Sequence, residues 1–318
     1  MRSLLLSLAA VMLALTLVAG SAHGISIDWV DVGSAGNSAD ATGFGSVGYE
    51  YRISRYEVTV SQYAEFLNAA AQSDPSGLYD PLMGIWQGVI RSGTDGSYSY
   101  TVESGRGTRA MGHVSFDNAL RFTNWLNNGQ GSALTDSGAY DLSGGSLHNG
   151  SIERSLNAEV FLPSEDEWYK AAYFDPSSAG YFEYPTGSNV AGACSTPTSN
   201  PNSANCGGAV SGSPVNVGSY PGSVSPLGTL DQGGNAWEWN EAFLVGDSGG
   251  LRGGGNGSNQ ATGPWGDMRA SYRDGGHPGP QPGVVDIAYG FRVASVIPEP
   301  NTALLMGLGL AGLAARRR

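Results

Sequence analysis

The chain has 318 residues, 49 of them glycine, with charged residues at only 14% and a formal charge of −12. So acidic a surface argues against nucleic acid and anionic surfaces as partners, and about twice the ordinary share of glycine favours long ordered loops over long helices. Removal of Arg2 and the three terminal arginines would leave 12 basic against 28 acidic residues, a charge of −16.

Arg2 precedes an apolar stretch from Leu4 to Val18, and the small residues Ala22 and Gly24 follow. This order defines a secretory signal over 1–24, with a mature chain starting near Ile25. Ile25 to Val32 alternates like a strand, a loop follows over Gly33 to Gly48, and Tyr49 to Thr59 reads as a second strand. Val60 to Ala71 places Tyr63, Phe66, Leu67 and Ala70 at helical spacing, with Thr59 or Ser61 able to cap. Phe116 to Leu126 repeats the pattern behind Ser115. A third helix is expected over Ser164 to Tyr173, where Ser164 and Glu167 have capping-box spacing. Glu165 and Glu167 lie two residues apart and point in different directions on that helix, so capping and arginine pairing suit them better than joint catalysis.

Cys194 and Cys206 are the only cysteines, and no Lys, Arg or His lies within ten residues of either. In an oxidising compartment that predicts a structural disulfide rather than a reactive thiol pair. Lys170 is the only lysine, and several arginines are expected to act as fixed forks inside the fold. The run from Leu230 to Trp239 gathers Asp231, Glu238, Gly233, Gly234, Trp237 and Trp239. Hard anionic oxygens beside glycines able to take positive φ suit Ca²⁺ better than zinc, although the twelve-residue EF-hand spacing is missing and a metal-free glycine turn has the same pattern. Trp237 and Trp239 are expected on core faces.

Pro298-Glu299-Pro300 then leads into an apolar segment, Thr302 to Ala315, closed by Arg316, Arg317 and Arg318. At about fourteen residues it is short of the ~20 that a spanning helix needs, which fits a transient inner-membrane anchor or sorting signal. No linker divides 25–296, so this stretch reads as one domain and 297–318 as a tail. The tail resembles the PEP-CTERM sorting signal, which implies processing by an exosortase in a bacterium that makes extracellular polysaccharide.

The blocks Tyr56-Glu57-Val58-Thr59, Val114 to Ala119, Phe161 to Trp168, Tyr184 to Gly187, Gly234 to Trp239, Leu251 to Gly254, Arg269 to Arg273 and Gly290 to Ala294 occur in one order. Together they resemble the formylglycine-generating-enzyme, or sulfatase-modifying-factor, domain from about Tyr49 to Ser295. The resemblance implies an α+β fold of C-type-lectin kind, poor in regular structure and stabilised by structural calcium. It carries one calcium site onto the Asp231 and Glu238 side chains and the Gly234 and Ala236 carbonyls. A second would use the Asn205 side chain and the Cys206 carbonyl, but its loop is shortened between Gly207 and Pro214.

Catalytic members of that family use two cysteines that bind copper. The corresponding positions here hold Trp265 and Ala270, so no catalytic residue and no copper are expected. Related sulfoxide synthases bind iron through three histidines, whereas His113, His148 and His277 form no i,i+3 or i,i+4 pair and are expected as exposed loop residues. Relatives also bind ligands through the C-terminal region, where Asn256, Asn259, Trp265, Arg269, Tyr272, Arg273, His277 and Tyr289 collect among glycines. Arg252, Arg273 and Arg292 are better read as internal partners. The expectation is an exported protein, sorted to the periplasm, outer surface or matrix, that binds an extracellular polysaccharide or surface protein. The alternatives are a calcium-held matrix scaffold and an oxidoreductase of the family with a noncanonical site.

Overall fold

A computed structural model describes residues 24–131, 135–143, 152–210, 213–244, 248–257, 266–276 and 288–298. In chain order the strands and helices are β1 (Trp29–Val32), β2 (Tyr51–Ser54), α1 (Val60–Ala70), β3 (Val89–Ser92), β4 (Ser99–Val102), α2 (Phe116–Asn127), β5 (Val160–Phe161) and α3 (Glu165–Tyr173). There follow the short strands β6 (Phe174–Asp175), β7 (Gly180–Tyr181), β8 (Ala193–Cys194) and β9 (Ser203–Ala204). Then come β10 (Trp237–Leu244), β11 (Ser248–Arg252), β12 (Asp274–Gly276), β13 (Tyr289–Phe291) and β14 (Ala294–Val296).

Two four-stranded sheets organise these elements. One has the order β1-β2-β14-β5 and is antiparallel throughout, so it joins both ends of the domain to its middle. The other has the order β12-β11-β10-β13, with β10 and β13 parallel. Only Arg292 and Val293 separate β13 from β14, so the chain crosses between sheets at that point. Val58 N–H donates to Phe291 O and Ser54 N–H to Val293 O, which fastens the crossing to the end of β2.

The helices form where their caps and apolar stripes agree. Thr59 Oγ1 accepts from Gln62 N while Gln62 Oε1 accepts from Thr59 N, a reciprocal box that starts α1. Ser115 Oγ accepts from Asn118 N, and Ser164 and Glu167 close the expected box on α3. Aromatic side chains then lock α1 on α2: Phe66 lies 5.3 Å from Phe122 and 5.4 Å from Trp125, and Phe122 reaches Phe291 of β13 at 5.2 Å. Such pairs add about 0.5–1.5 kcal/mol each beyond the area they bury.

Three expectations need correction. The first strand begins at Trp29 rather than Ile25, and the second covers only Tyr51–Ser54. Beyond Ser54 the backbone turns away from the ladder, because Arg55 O accepts from Leu230 N and Ser54 Oγ donates to Tyr56 O. His113 is buried, with φ 55°, because its segment runs beneath β13, where Val114 N–H donates to Tyr289 O; His148 and His277 lie outside the described residues. Both tryptophans of the turn meet the core as expected: Trp239 is fully buried against Phe116, and the half-buried Trp237 packs against the same cluster.

Cys194 and Cys206 form a disulfide across a sequence separation of 12, beside the parallel pairing of β8 with β9. In the chain-entropy account a loop this short is worth about 3 kcal/mol. Cys194→Ser/Cys206→Ser is therefore expected to lose about that much stability, measured as a lower midpoint in urea. An unchanged midpoint would mean that the β8–β9 pairing orders the loop without the covalent tie.

Candidate functional site

A buried charge centre lies where the two sheets meet. Glu238 in β10 and Arg292 at the crossing are both fully buried. Arg292 Nε donates to Glu238 Oε2 at 2.6 Å and Nη2 to Glu238 Oε1 at 2.7 Å, while Trp168 Nε1 also donates to Oε2 at 2.7 Å. The remaining guanidinium hydrogens reach Ser54 O, Arg55 O and Leu230 O. All five donors of the fork thus have acceptors, the condition under which an arginine can be buried.

Beside this pair the Leu230–Trp239 turn takes left-handed backbone at Asp231 (φ 62°), Gly234 (φ 77°) and Asn235 (φ 62°). Gly234 also needs to lack a side chain, since a Cβ there would stand 2.6 Å from Asn205 O. The Asn235 amide joins three segments: Nδ2 donates to Glu57 Oε1 at 2.9 Å, and Oδ1 accepts from Asn205 Nδ2 at 3.1 Å and Val215 N at 2.8 Å. Asp231 Oδ2 accepts from Gly218 N at 2.5 Å. Glu57 Oε2 and Asn205 Oδ1 are buried without a hydrogen-bond partner. Three buried carboxyls therefore share one guanidinium. Burial raises the Asp231 carboxyl to about 6 against the pull of the Gly218 amide and Arg292. Burial, then Asp231 and Glu238, push Glu57 well above the carboxylate range.

The fit of these groups to calcium is divided. Both oxygens of Glu238 are engaged by Arg292 and Trp168, which uses three of the carboxylate's roughly four acceptor sites. The Cys206 carbonyl already accepts from Ala209 N. Asp231 and the orphaned Asn205 Oδ1 do fit, being hard oxygens beside an excess of negative charge. Among the described residues no cluster of three His, Cys, Asp or Glu side chains is placed to hold a metal, so a cation here would need amide and carbonyl oxygens as well.

The expected ligand-facing residues divide too. Asn256 is buried, because its backbone bridges Asn235 O and Gly208 N, and it belongs to the turn rather than to a surface. Trp265, Asn259 and His277 fall outside the described residues. Ala270 is buried against Trp168, Tyr169 and Tyr173. Tyr289 packs on Trp239 at 5.4 Å. Arg269 and Tyr272 do reach the surface side: Arg269 is half exposed beside Glu183 and the Tyr184 hydroxyl, and Tyr272 tilts over Trp237 at 6.1 Å. Their loop is pinned from below. Arg252 Nη1 donates to Ala270 O and Tyr272 O, its other nitrogens hold Glu165 Oε1, and Arg273 holds Glu165 Oε2. Phe44 stacks on both guanidinium groups, at 4.8 and 5.0 Å.

Sequence reasoning missed Glu57 and Asn235 as network members and missed Arg154 altogether. Arg154 forks between Glu167 and Glu241, and Tyr140 OH donates to the same Glu241 oxygen as Arg154 Nε. Glu57 stands in a recognisable block, but nothing in the spacing of Arg154 or Glu241 signals their meeting across 87 residues.

Two small sheets, one antiparallel and one mixed, with three short capped helices and long ordered loops, define an α+β protein of the C-type-lectin-like kind. The chain belongs to the sulfatase-modifying factor enzyme 1-like domain family, which matches residues 42–297. A PEP-CTERM protein-sorting motif matches residues 296–318. Among solved structures the chain is similar to CarF, with TM-score 0.52 and 21% identity over 86% of this chain and 99% of that one. It is also similar to Treponema denticola variable protein 1, at 0.49 and 16% over 85% and 95% of the two chains. PvdO from Pseudomonas aeruginosa gives 0.46 and 17% over 85% and 92%. At these identities the likeness concerns the fold alone. A comparison with curated proteins finds no match. The family domain and the sorting motif together mark an exported, surface-sorted protein, and the motif implies recognition by an exosortase. Among the described residues no helix is long and apolar enough to cross a membrane; the apolar tail segment lies outside them.

Proposed function

We propose that this protein is a surface-sorted recognition module that binds an extracellular polysaccharide or a surface protein and does not oxidise thiols. The observation that carries the reading is the Gly266–Gly276 loop, whose backbone is tied down by Arg252 while Arg269 stands half exposed beside Glu183 and Tyr272 lies against Trp237. Rigid aromatic side chains lose little entropy on binding, sugar rings pack well on their faces, and arginine adds a fork of hydrogen-bond donors. Thiol oxidation by the family chemistry needs reactive thiolates, whereas both cysteines of this chain are joined to each other. The domain is read as calcium-stabilised, with Asp231 and Asn205 as side-chain ligands and Glu238 paired with Arg292.

Arg269→Ala/Tyr272→Ala is expected to weaken the binding of whichever glycan or surface protein the parent chain captures by at least about tenfold, with the melting temperature unchanged. Biolayer interferometry against neutral polysaccharides and the host's secreted proteins reads this directly. Binding that survives both substitutions would move the site elsewhere. Copper-dependent O₂ consumption with a cysteine peptide would instead favour an oxidoreductase.

A further inference from the structure

A groove of about 710 Å³ runs between the two ends of the domain, far from the loop proposed to bind ligand along the sequence and built from other elements. Ile25, Ile27, Trp29, Leu126, Val160 and Ile297 give it an apolar lining. Arg52 is its one base and Glu159 its one acid, yet the two form no ion pair. The Arg52 guanidinium lies 5.1 Å over the Trp29 ring, and Nη2 donates to Ser295 Oγ at 3.2 Å. Its Nε is buried and has no hydrogen-bond partner. A guanidinium packed on an aromatic ring with one donor unfilled is set up for an additional anionic oxygen.

The chain itself delivers one to this place. The last strand ends at Val296, which pairs with Tyr51 and donates its N–H to Glu159 O. Ile297 and Pro298 then continue along the groove wall. The next residue is Glu299, one peptide step of about 3.8 Å further on, and it begins the 20 residues from 299 to 318. Because the sorting motif starts at Val296, its first residues are part of the sheet and no linker separates it from the domain. A residue before proline favours extended backbone, which applies at Ile297 and Glu299, and Pro298 and Pro300 lack the N–H groups that a further strand pairing would use. An extended chain of this kind advances about 3.3 Å per residue, so a handful of residues fills the groove. After the polar Asn301, the residues Thr302, Ala303, Leu304 and Leu305 are small or apolar and match its lining.

We infer that the groove is the seat of the chain's own sorting tail, with Glu299–Leu305 laid along it and the Glu299 carboxylate on Arg52. In this arrangement the start of the apolar tail is covered while the protein is in water. Exosortase and the membrane would have to draw the motif out of the groove before acting on it.

Hydrogen–deuterium exchange of the exported full chain tests this without assuming that the domain folds alone. Glu299→Lys is expected to raise exchange in both Ile25–Trp29 and the segment 299–305 by about fivefold, the scale of one favourable ion pair. It alters only the tail, so the domain's melting temperature should not move. Arg52→Glu should do the same, and Arg52→Glu/Glu299→Lys should restore protection by exchanging the charges. If Arg52→Glu fails to fold, the tail variant alone decides. Unchanged exchange in Glu299→Lys overturns the inference. So does protection that grows with protein concentration, which would give the groove to a second copy, or protection that depends on residues before Gly24.

Discussion

The Arg292→Met protein will unfold about 3–5 kcal/mol more easily than the parent chain, because the substitution leaves the fully buried Glu238 without its counterion. Methionine keeps much of the volume of the arginine stem but none of its five donors. Three backbone carbonyls, those of Ser54, Arg55 and Leu230, lose a partner together with the carboxylate. The loss falls on the point where β13 passes into β14, so the two sheets should separate in one cooperative transition rather than fray. Against an ordinary domain stability of about 5–15 kcal/mol the change is large. Urea denaturation in the presence of a chelator measures it, and Arg292→Met/Glu238→Gln should recover part of the loss by removing the stranded charge. A cost below about 1 kcal/mol would mean that Glu238 has another cation. Rescue of Arg292→Met by calcium would identify that cation and place Glu238 in the ligand set.

The parts of this fold that were legible in the sequence are those in which local signals agree. Ser164 and Glu167 gave the start of α3, and Phe66, Phe122 and Trp125 gave the faces on which α1 and α2 meet. The inward role of Arg252, Arg273 and Arg292 followed from their family blocks. Glu238 was legible as a functional acid, but its partner was not. A carboxylate in a glycine-rich turn reads as a metal ligand, and nothing near it in the chain shows that Arg292, 54 positions later, lies against it. Asn256 failed for a similar reason: its composition fits a recognition surface, and only the backbone bonds to Asn235 and Gly208 show that it faces inward. The strand over Tyr49 to Thr59 was too long because Arg55 spends its carbonyl on Leu230, a contact no local pattern announces. Long-range polar pairing between loops is the information that a loop-rich chain hides best.

Asp231→Asn is expected to stabilise the chelated protein by up to about 3 kcal/mol at pH 7 and to leave it unchanged near pH 4. Burial holds the Asp231 carboxyl near 6 in the folded state against an ordinary 3.8. Folding therefore takes up a proton between those values. Its stabilising contribution is complete below about pH 4 and is lost as pH rises through about 6, and asparagine escapes this loss because it has no charge to desolvate. Glu57, raised in the same direction by burial and then by Asp231 and Glu238, adds a decline of the same sign that is smaller once Asp231 is replaced. Calcium reverses the ranking if Asp231 is a ligand, because the ion supplies the positive charge that the buried carboxylates lack. At a thousandfold excess over the dissociation constant it would stabilise the parent chain by about 4.1 kcal/mol, more than asparagine gains, and the asparagine variant by little. Thermal unfolding of both proteins across pH 4–7, each with calcium and with chelator, separates the two electrostatic states. If the asparagine variant remains the more stable in calcium, the turn is neutralised by protons rather than by a metal, and the calcium-stabilised reading of the domain falls.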